Sequence, residues 1–553
     1  MALTPVRALR RATRVMWVSL WYAGRFLSSR SRRPQVLRAY LQTLDGAFLK
    51  LGQVLAMRYD MLPASYCEEL SGLLDRLPPV AYRDIEAIIE RDLGRPCADL
   101  FASIDPVPVS TASVAQVHRG ALHDGQPVAI KVMRPGVEAQ YRTDLVLIRL
   151  MARLALWTRP PASVDLEGFV GELVDLANEE LDFRVEARHA ALLRESLVAD
   201  TVPHYVPQVY PACSGPRVLT LEWLEGVSAN ELLRAVSRGD EDGLRACAAK
   251  GAVPGQVART LCESIIAQCF RHRLFHADPH AANVIVLGDG RIGYVDFGMI
   301  GWIDERTWRR QLRLNLSIAT GDLDGAYEAL LETLQPPPSK DLRRFERAFK
   351  QLLQRWIFAT RLPTSSLRER SAAFFSRELF SLVRAEGMRM PSADMRLNRA
   401  LLVSDILVLT LCPEMLRLPL LERFFRDELA RLVSEATRDG RLLRGGYDSL
   451  FAVLDGPVAL RQFSQAVRTG VAAPIREPPA SPSRLERAAL TTLAYVRLLV
   501  AAAVVIVVVS GVQGSSVTPS AWDAGGATSW RWIAVASGAV LLLAIGRIMR
   551  VLR

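Results

Sequence analysis

The stretch FHADPHAANVIVLGDGRIGYVDFGMIG, Phe275 to Gly301, restricts what this chain can fold into more than any other. Asp278 is followed five residues later by Asn283, and Asp296-Phe297-Gly298 comes after a run that reads as a hairpin. Two carboxylates and an amide are thereby placed on loops at the ends of paired strands. Phosphoryl transfer requires such a set: a carboxylate near the attacking oxygen, and oxygen ligands that hold Mg²⁺ on the phosphates. A competing reading is a transition-metal site, because His276, Asp278 and His280 form H-x-D-x-H and histidine favours Zn or Fe. That reading leaves Asn283 and the Asp-Phe-Gly spacing unexplained.

The spacing matches the kinase catalytic loop H-R-D-x-x-x-x-N followed by D-F-G, with Ala277 in place of Arg. VAIK, Val128–Lys131, matches the kinase strand whose Lys contacts the α/β-phosphates. Lysine is scarce here. Of 69 Lys+Arg, only Lys50, Lys131, Lys250, Lys340 and Lys350 are Lys, so a Lys points to a specific need. Lys131 calls for a carboxylate partner on a downstream helix, and Glu186 is the candidate, 55 residues on. After VDFG the chain runs through MIGWIDERTWRRQL directly into a helical pattern with no A-P-E anchor. This excludes the long peptide-docking loop of a conventional protein kinase.

The chain's texture predicts its organisation. Residues 1–38 form a basic amphipathic segment; nine Arg and no acidic residue precede Asp45. Its Trp17, Leu20, Trp21 and Phe26 are roughly helix-spaced, which suits either a helix at a membrane interface or an ordinary packed helix. Residues 39–100 read as helical, with a break at Pro78-Pro79 and a C-cap at Gly94. Residues 101–470 form the main domain, with an N-terminal lobe to about 225 and a helical C-terminal lobe from about 226. A hairpin turn is expected at Asp124-Gly125. Residues 471–490 are a Pro-rich linker.

Residues 491–553 carry two uncharged apolar stretches, Leu498–Val512 and Trp532–Gly546. Each spans about 22 Å as a helix against a hydrocarbon core of roughly 30 Å, and flanking apolar residues can extend both. The expectation is a transmembrane helix hairpin. Arg484, Arg487 and Arg497 before it, and Arg547, Arg550 and Arg553 after it, put both ends on the cytoplasmic side. The seven scattered Cys, with no CxxC pair, exclude a zinc ribbon and suit reduced thiols.

Six segments occur in an order that resembles the UbiB/ADCK atypical kinase-like family. They are FLKLGQVLAMRYDMLP, STASVAQVHRG, VAIKVMRPGVE, EELDFRVEARHA, HADPHAAN and VDFG, together covering about residues 40–305. The resemblance implies an α+β, atypical protein-kinase-like two-lobe fold with an N-terminal helical extension and a C-terminal transmembrane hairpin. It implies that Ser110-Thr111-Ala112-Ser113 stands where the family has an Ala-rich phosphate turn, with only Ala112 and Ser113 fitting its AAAS pattern. Lys50 and Gln53 resemble the KxGQ motif, and Glu180 and Asp182 the ExD pair, which together would cover the nucleotide pocket.

The resemblance further implies Mg²⁺ and ATP as cofactors, Lys131 and Glu186 at the phosphates, Asn283 and Asp296 as metal ligands, and Asp278 as the catalytic group. The expected function is a membrane-anchored atypical kinase/ATPase supporting ubiquinone or other prenylquinone biosynthesis. The alternative is a catalytically weak, nucleotide-gated lipid-binding scaffold. The expected partners are anionic membrane lipids, prenylated quinone precursors and biosynthetic enzymes, with no nucleic acid. The expected location is a bacterial inner membrane, multi-pass, with the kinase-like domain cytoplasmic.

Overall fold

The computed structural model describes residues 5–438, apart from 29–31, 57, 59–61, 74–77, 157–165, 199, 336–341, 363 and 389. The linker at 471–490 and the apolar pair within 491–553 lie outside the described residues. Among the described residues, no helix is long and apolar enough to cross a membrane. The chain divides into two units, Met1–Ile148 with Ala162–Glu428, and Arg149–Pro161 with Leu429–Arg553. The site and its supports belong to the first. Of the second, the described residues are only the helical ends 149–156 and 429–438.

The strands, in chain order, are β1 (Ser103–Ile104), β2 (Ser110–Thr111), β3 (Ala115–Ala121), β4 (Pro127–Met133), β5 (His204–Tyr205), β6 (Val218–Glu222), β7 (Gly226–Ser228), β8 (Leu274–His276), β9 (Val284–Leu287), β10 (Ile292–Tyr294) and β11 (Ile300–Trp302). An antiparallel sheet runs β1-β3-β4-β6, with β2 also paired to β3. A second sheet runs β5-β10-β9-β7, and β11 pairs with β8.

Alternation along β4 decides which way Lys131 faces. Val128, Ile130 and Val132 are fully buried in a cluster with Ile85, Ile88 and Ile89 of helix Tyr82–Leu93. Successive strand residues point to opposite faces, so Lys131 is turned away from that cluster. Burying each of the three β-branched side chains stabilises by about 1.5–3 kcal/mol. A one-residue slip would put Lys131 into the apolar layer, so the register is strongly set. Gly94 caps the helix at φ +69° and Gly125 turns the β3–β4 connection at φ +86°, as the sequence suggests. A strand is expected at VPQVY, Val206–Tyr210, from its valines, but this segment contributes only an isolated bridge, Val209 to Leu221, and β5 begins two residues earlier.

The C-terminal part is helical. Helices Glu305–Thr320, Leu323–Thr333, Arg343–Arg361 and Ala372–Ala385 enclose a core that includes Leu330, Phe345, Phe349, Leu353 and Phe380. Helix Pro254–Ala267 ends in a π turn, Gln268–His272, and Arg273 follows at φ +60°. This turn redirects the chain into β8, which leads to Asp278.

Residues 5–28 are one helix packed on helix Arg33–Leu44, with hydroxyl contacts Ser19–Tyr40 and Tyr22–Thr43 between them and Val15 buried. Trp17 and Trp21 point outward at 66% and 57% exposure. One face of this segment is therefore packed while another presents tryptophan to the surroundings.

Candidate functional site

Lys131 carries the centre of the site. Its Nζ donates to Glu186 Oε1 at 2.7 Å and Oε2 at 2.9 Å, and to Asp296 Oδ2 at 3.4 Å. Glu186 lies in the first turn of helix Phe183–Leu197. The 55-residue separation is taken up by helices Val137–Leu156 and Leu166–Glu180 and the segment between them. Burial alone would depress the Lys131 pKa. The charges of Asp296 and Glu186 outweigh it and raise the value above that of an ordinary lysine. Burial works against ionisation of Asp296 too, yet the Lys131 charge and the Gly298 N–H hold its carboxyl well below the usual range.

The Asp-Phe-Gly turn is tied to the same helix. Phe297 N donates to Glu186 Oε1 at 3.4 Å, and His189 Nδ1 lies 3.0 Å from Phe297 O. Phe297 is fully buried. Only the strand β11, paired antiparallel with β8, separates this turn from helix Glu305–Thr320. The segment after Gly298 thus has no length for a docking loop.

The loop 277–283 forms the other half. Asp278 N donates to His276 Nδ1 at 3.2 Å, and Asp278 O accepts from His280 N at 2.8 Å and Asn283 Nδ2 at 3.2 Å. The Asn283 amide nitrogen is thereby used inward, and its oxygen is the atom it could offer to a cation. An amide oxygen and an ionised carboxylate are hard donors, and they suit Mg²⁺ rather than Zn. Asn283 and Asp296 fit the Mg²⁺ expected from the sequence.

The H-x-D-x-H alternative is not assembled. His276 stacks on Tyr294 at 5.2 Å and meets Phe297 edge-on, and burial lowers its pKa. His280 is exposed, with Nδ1 accepting from Ala282 N. Ligand atoms of His276, Asp278 and His280 do not converge.

Two expected contributors, Ser110–Ser113 and Asp182, have local roles as well. Ser110 and Thr111 are strand β2, and Ala112 N already donates to Ala115 O at 2.8 Å. Residues 110–113 thus enter a tight hairpin, with Ser113 buried. Asp182 is the N-cap of helix Phe183–Leu197. It accepts from Arg184 N and grips the Arg184 guanidinium, which keeps its pKa low. It orients the Glu186 helix.

Lys50 and Gln53 lie on helix Ala47–Leu55. Lys50 Nζ is 3.2 Å from Glu180 Oε2. Burial opposes the Lys50 charge, but Glu180 outweighs it and raises the pKa; Arg399 and Asp278 are close enough to act on it as well. The helix is anchored by a residue that carries no sequence signal. Asp144, fully buried, accepts from Ala47 N at 3.2 Å and takes a two-pronged contact from Arg11 at 2.7 and 2.8 Å. Gly46, at φ +60°, lets the chain pass there, since a Cβ would lie 2.5 Å from Asp144 Oδ2.

A second unforeseen residue is Arg399, in helix Ser392–Leu411. Its Nη2 is 2.6 Å from Asp278 Oδ2 and its Nε donates to Oδ1 at 3.2 Å. Burial would raise the Asp278 pKa; the Arg399 charge outweighs it and holds the carboxyl below its ordinary value.

A strand lysine bound to a helix glutamate, an Asp–Asn loop and an Asp-Phe-Gly turn define a kinase-like phosphate site in a mixed α/β fold. Residues 72–330 match the ABC1 atypical kinase-like domain. An uncharacterized aarF domain-containing protein kinase of the Arabidopsis thaliana chloroplast is 30% identical over 405 residues, covering 69% of this chain and 72% of that protein. A probable protein kinase UbiB of Azotobacter vinelandii is 31% identical over 412 residues, covering 72% of this chain and 73% of its own. The chain belongs to the ABC1/aarF atypical kinase-like family.

Proposed function

We propose that this protein is a Mg²⁺-dependent ATPase or small-molecule kinase, anchored to a membrane and acting in prenylquinone metabolism. The observation that carries this reading is the cluster of Lys131, Glu186 and Asp296 beside the Asp278–Asn283 loop. Lys131 would bind the phosphates of ATP, and Glu186 orients it. Asn283 and Asp296 would hold Mg²⁺, which when bound neutralises phosphate charge. Asp278 would orient the attacking oxygen of water or of a small alcohol and take up its proton. The new bond forms from that oxygen to the γ-phosphorus as the bond to the β–γ bridging oxygen breaks, and ADP leaves with the electron pair.

Lys50 and Glu180 stand beside Asp278, which favours a small acceptor over a folded protein. The exposed Trp17 and Trp21 on an Arg-rich helix, and the apolar stretches of 491–553, support a lipid partner. The quinone assignment rests on the UbiB relative.

The test compares ATP turnover of wild type and Asp278→Asn in detergent and on anionic liposomes. Loss of turnover in the variant is expected. Equal rates would sink the enzyme reading and leave the nucleotide-gated scaffold. Quinone profiling of a deletion strain tests the pathway, and an unchanged profile would remove it.

A further inference from the structure

We propose that Arg399 is a positioning residue for Asp278, so that the phosphoryl-transfer site is completed from the helices beyond the ABC1-like domain. The inference rests on the role given to Asp278 above. Nothing in the sequence pattern points to Arg399. It lies 121 residues after Asp278 and outside the matched span 72–330.

The geometry is that of a fork. Nε meets one carboxylate oxygen at 3.2 Å and Nη2 the other at 2.6 Å, which sets the plane of the carboxylate as well as its position. The loop holds Asp278 through its backbone only: the amide N to His276, the carbonyl to Asn283 and His280. Arg399 therefore sets the side-chain rotamer. The two side chains are 17% and 20% exposed, so this is not a solvated surface pair of negligible strength.

The support is rigid. Leu397 and Ala400, on either side of Arg399 in its helix, are fully buried. That helix packs along Pro254–Ala267, the same helix whose π turn feeds β8 and the Asp278 loop. Both partners are thus mounted on one packed pair of helices.

Such a fork need not block the site. Each carboxylate oxygen has a second lone pair, so Asp278 can accept from Arg399 and from the attacking hydroxyl together. The neighbouring cation, Lys50, makes its close ion pair with Glu180 at 3.2 Å and acts on Asp278 only through space.

The test measures steady-state ATP turnover and MgATP affinity of the full chain in detergent for wild type, Asp278→Asn, Arg399→Ala and Arg399→Lys. A reacting group displaced by about 1 Å loses about 10²-fold in rate. Arg399→Ala is expected to lower kcat by ten- to a hundredfold. KM for ATP should stay within about twofold, because Lys131, Asn283 and Asp296 are untouched. Arg399→Lys should recover part of kcat, since an ammonium can meet one oxygen but not both. Melting curves of the Lys variant guard against a folding defect.

A wild-type rate in Arg399→Ala overturns the inference, and so does a raised rate, which would make the pair a latch. A rise in KM with a matching loss of melting temperature, and no difference between the Ala and Lys variants, overturns it as well by making Arg399 merely structural. Equal turnover of wild type and Asp278→Asn would take down the functional reading and this inference together. A silent Arg399→Ala beside an inactive Asp278→Asn removes this inference alone.

Discussion

Replacing Glu186 by Gln removes one charge from the Lys131 cluster while preserving shape. At 2.7 Å and an effective dielectric constant near 20, the Lys131–Glu186 attraction is about 6 kcal/mol. The net effect is smaller, because Lys131 retains Asp296 at 3.4 Å and the new amide can still accept a hydrogen bond. Breaking a buried pair costs about 3–5 kcal/mol, and the reserve partner puts this one at the low end, about 3 kcal/mol. The assay is urea unfolding monitored by far-UV circular dichroism.

The same change should also weaken nucleotide binding. Lys131 would be drawn onto Asp296, the carboxylate proposed to hold Mg²⁺. A rise in Kd for MgATP of about tenfold or more is expected, equivalent to about 1.4 kcal/mol. In an Asp296→Asn background Lys131 has no second carboxylate, so the two losses should be non-additive by about 1–2 kcal/mol. An unchanged urea midpoint together with unchanged MgATP affinity would refute the idea that this pair couples helix Phe183–Leu197 to β4.

Asp144→Ala should destabilise the first unit by about 3 kcal/mol, because it strips Arg11 of its carboxylate partner, leaving only Asp45 O, and Ala47 N of its acceptor. Limited proteolysis should then cut ahead of residue 47, and an unaltered digestion pattern would contradict this. Asp200 is held well below its ordinary pKa: burial opposes its charge, but His272 and Arg271 win. A depressed carboxylate contributes stability that is present above its unfolded value, about 3.9, and lost as pH falls below it. Asp200→Asn should therefore flatten the acid limb of a stability curve measured from pH 7 to 3. Parallel curves for variant and wild type would argue against it.

Some of this protein is local in sequence. The placing of Asp278, Asn283 and Asp296 is legible because the loop 277–283 and the Asp-Phe-Gly turn sit within twenty residues, so spacing alone restricts their geometry. Lys131 is legible from strand alternation and from the rarity of lysine. Glu186 follows from the need for a carboxylate partner, although the intervening helices lengthen the usual interval. Asp182 has a local role that the motif does not state. The motif position implies a place at the pocket, and the structure shows that its side chain also caps a helix by accepting from Arg184 N.

Arg399 and Asp144 were decided by tertiary structure alone. Each is one ionisable residue in a long helix, and an Arg or Asp in that setting is ordinarily a solvated surface group. What distinguishes them is a partner 121 residues away for Arg399, and 133 for Asp144. Helix periodicity says which face a side chain occupies, not which distant element packs there. The sequence by itself determined a phosphate-site chemistry and the strand register that presents Lys131, because both depend on neighbours within a few residues. Only the packing of the helices could place Arg399 on Asp278 and lay the Lys50 helix beside it, because that geometry depends on how remote apolar faces meet.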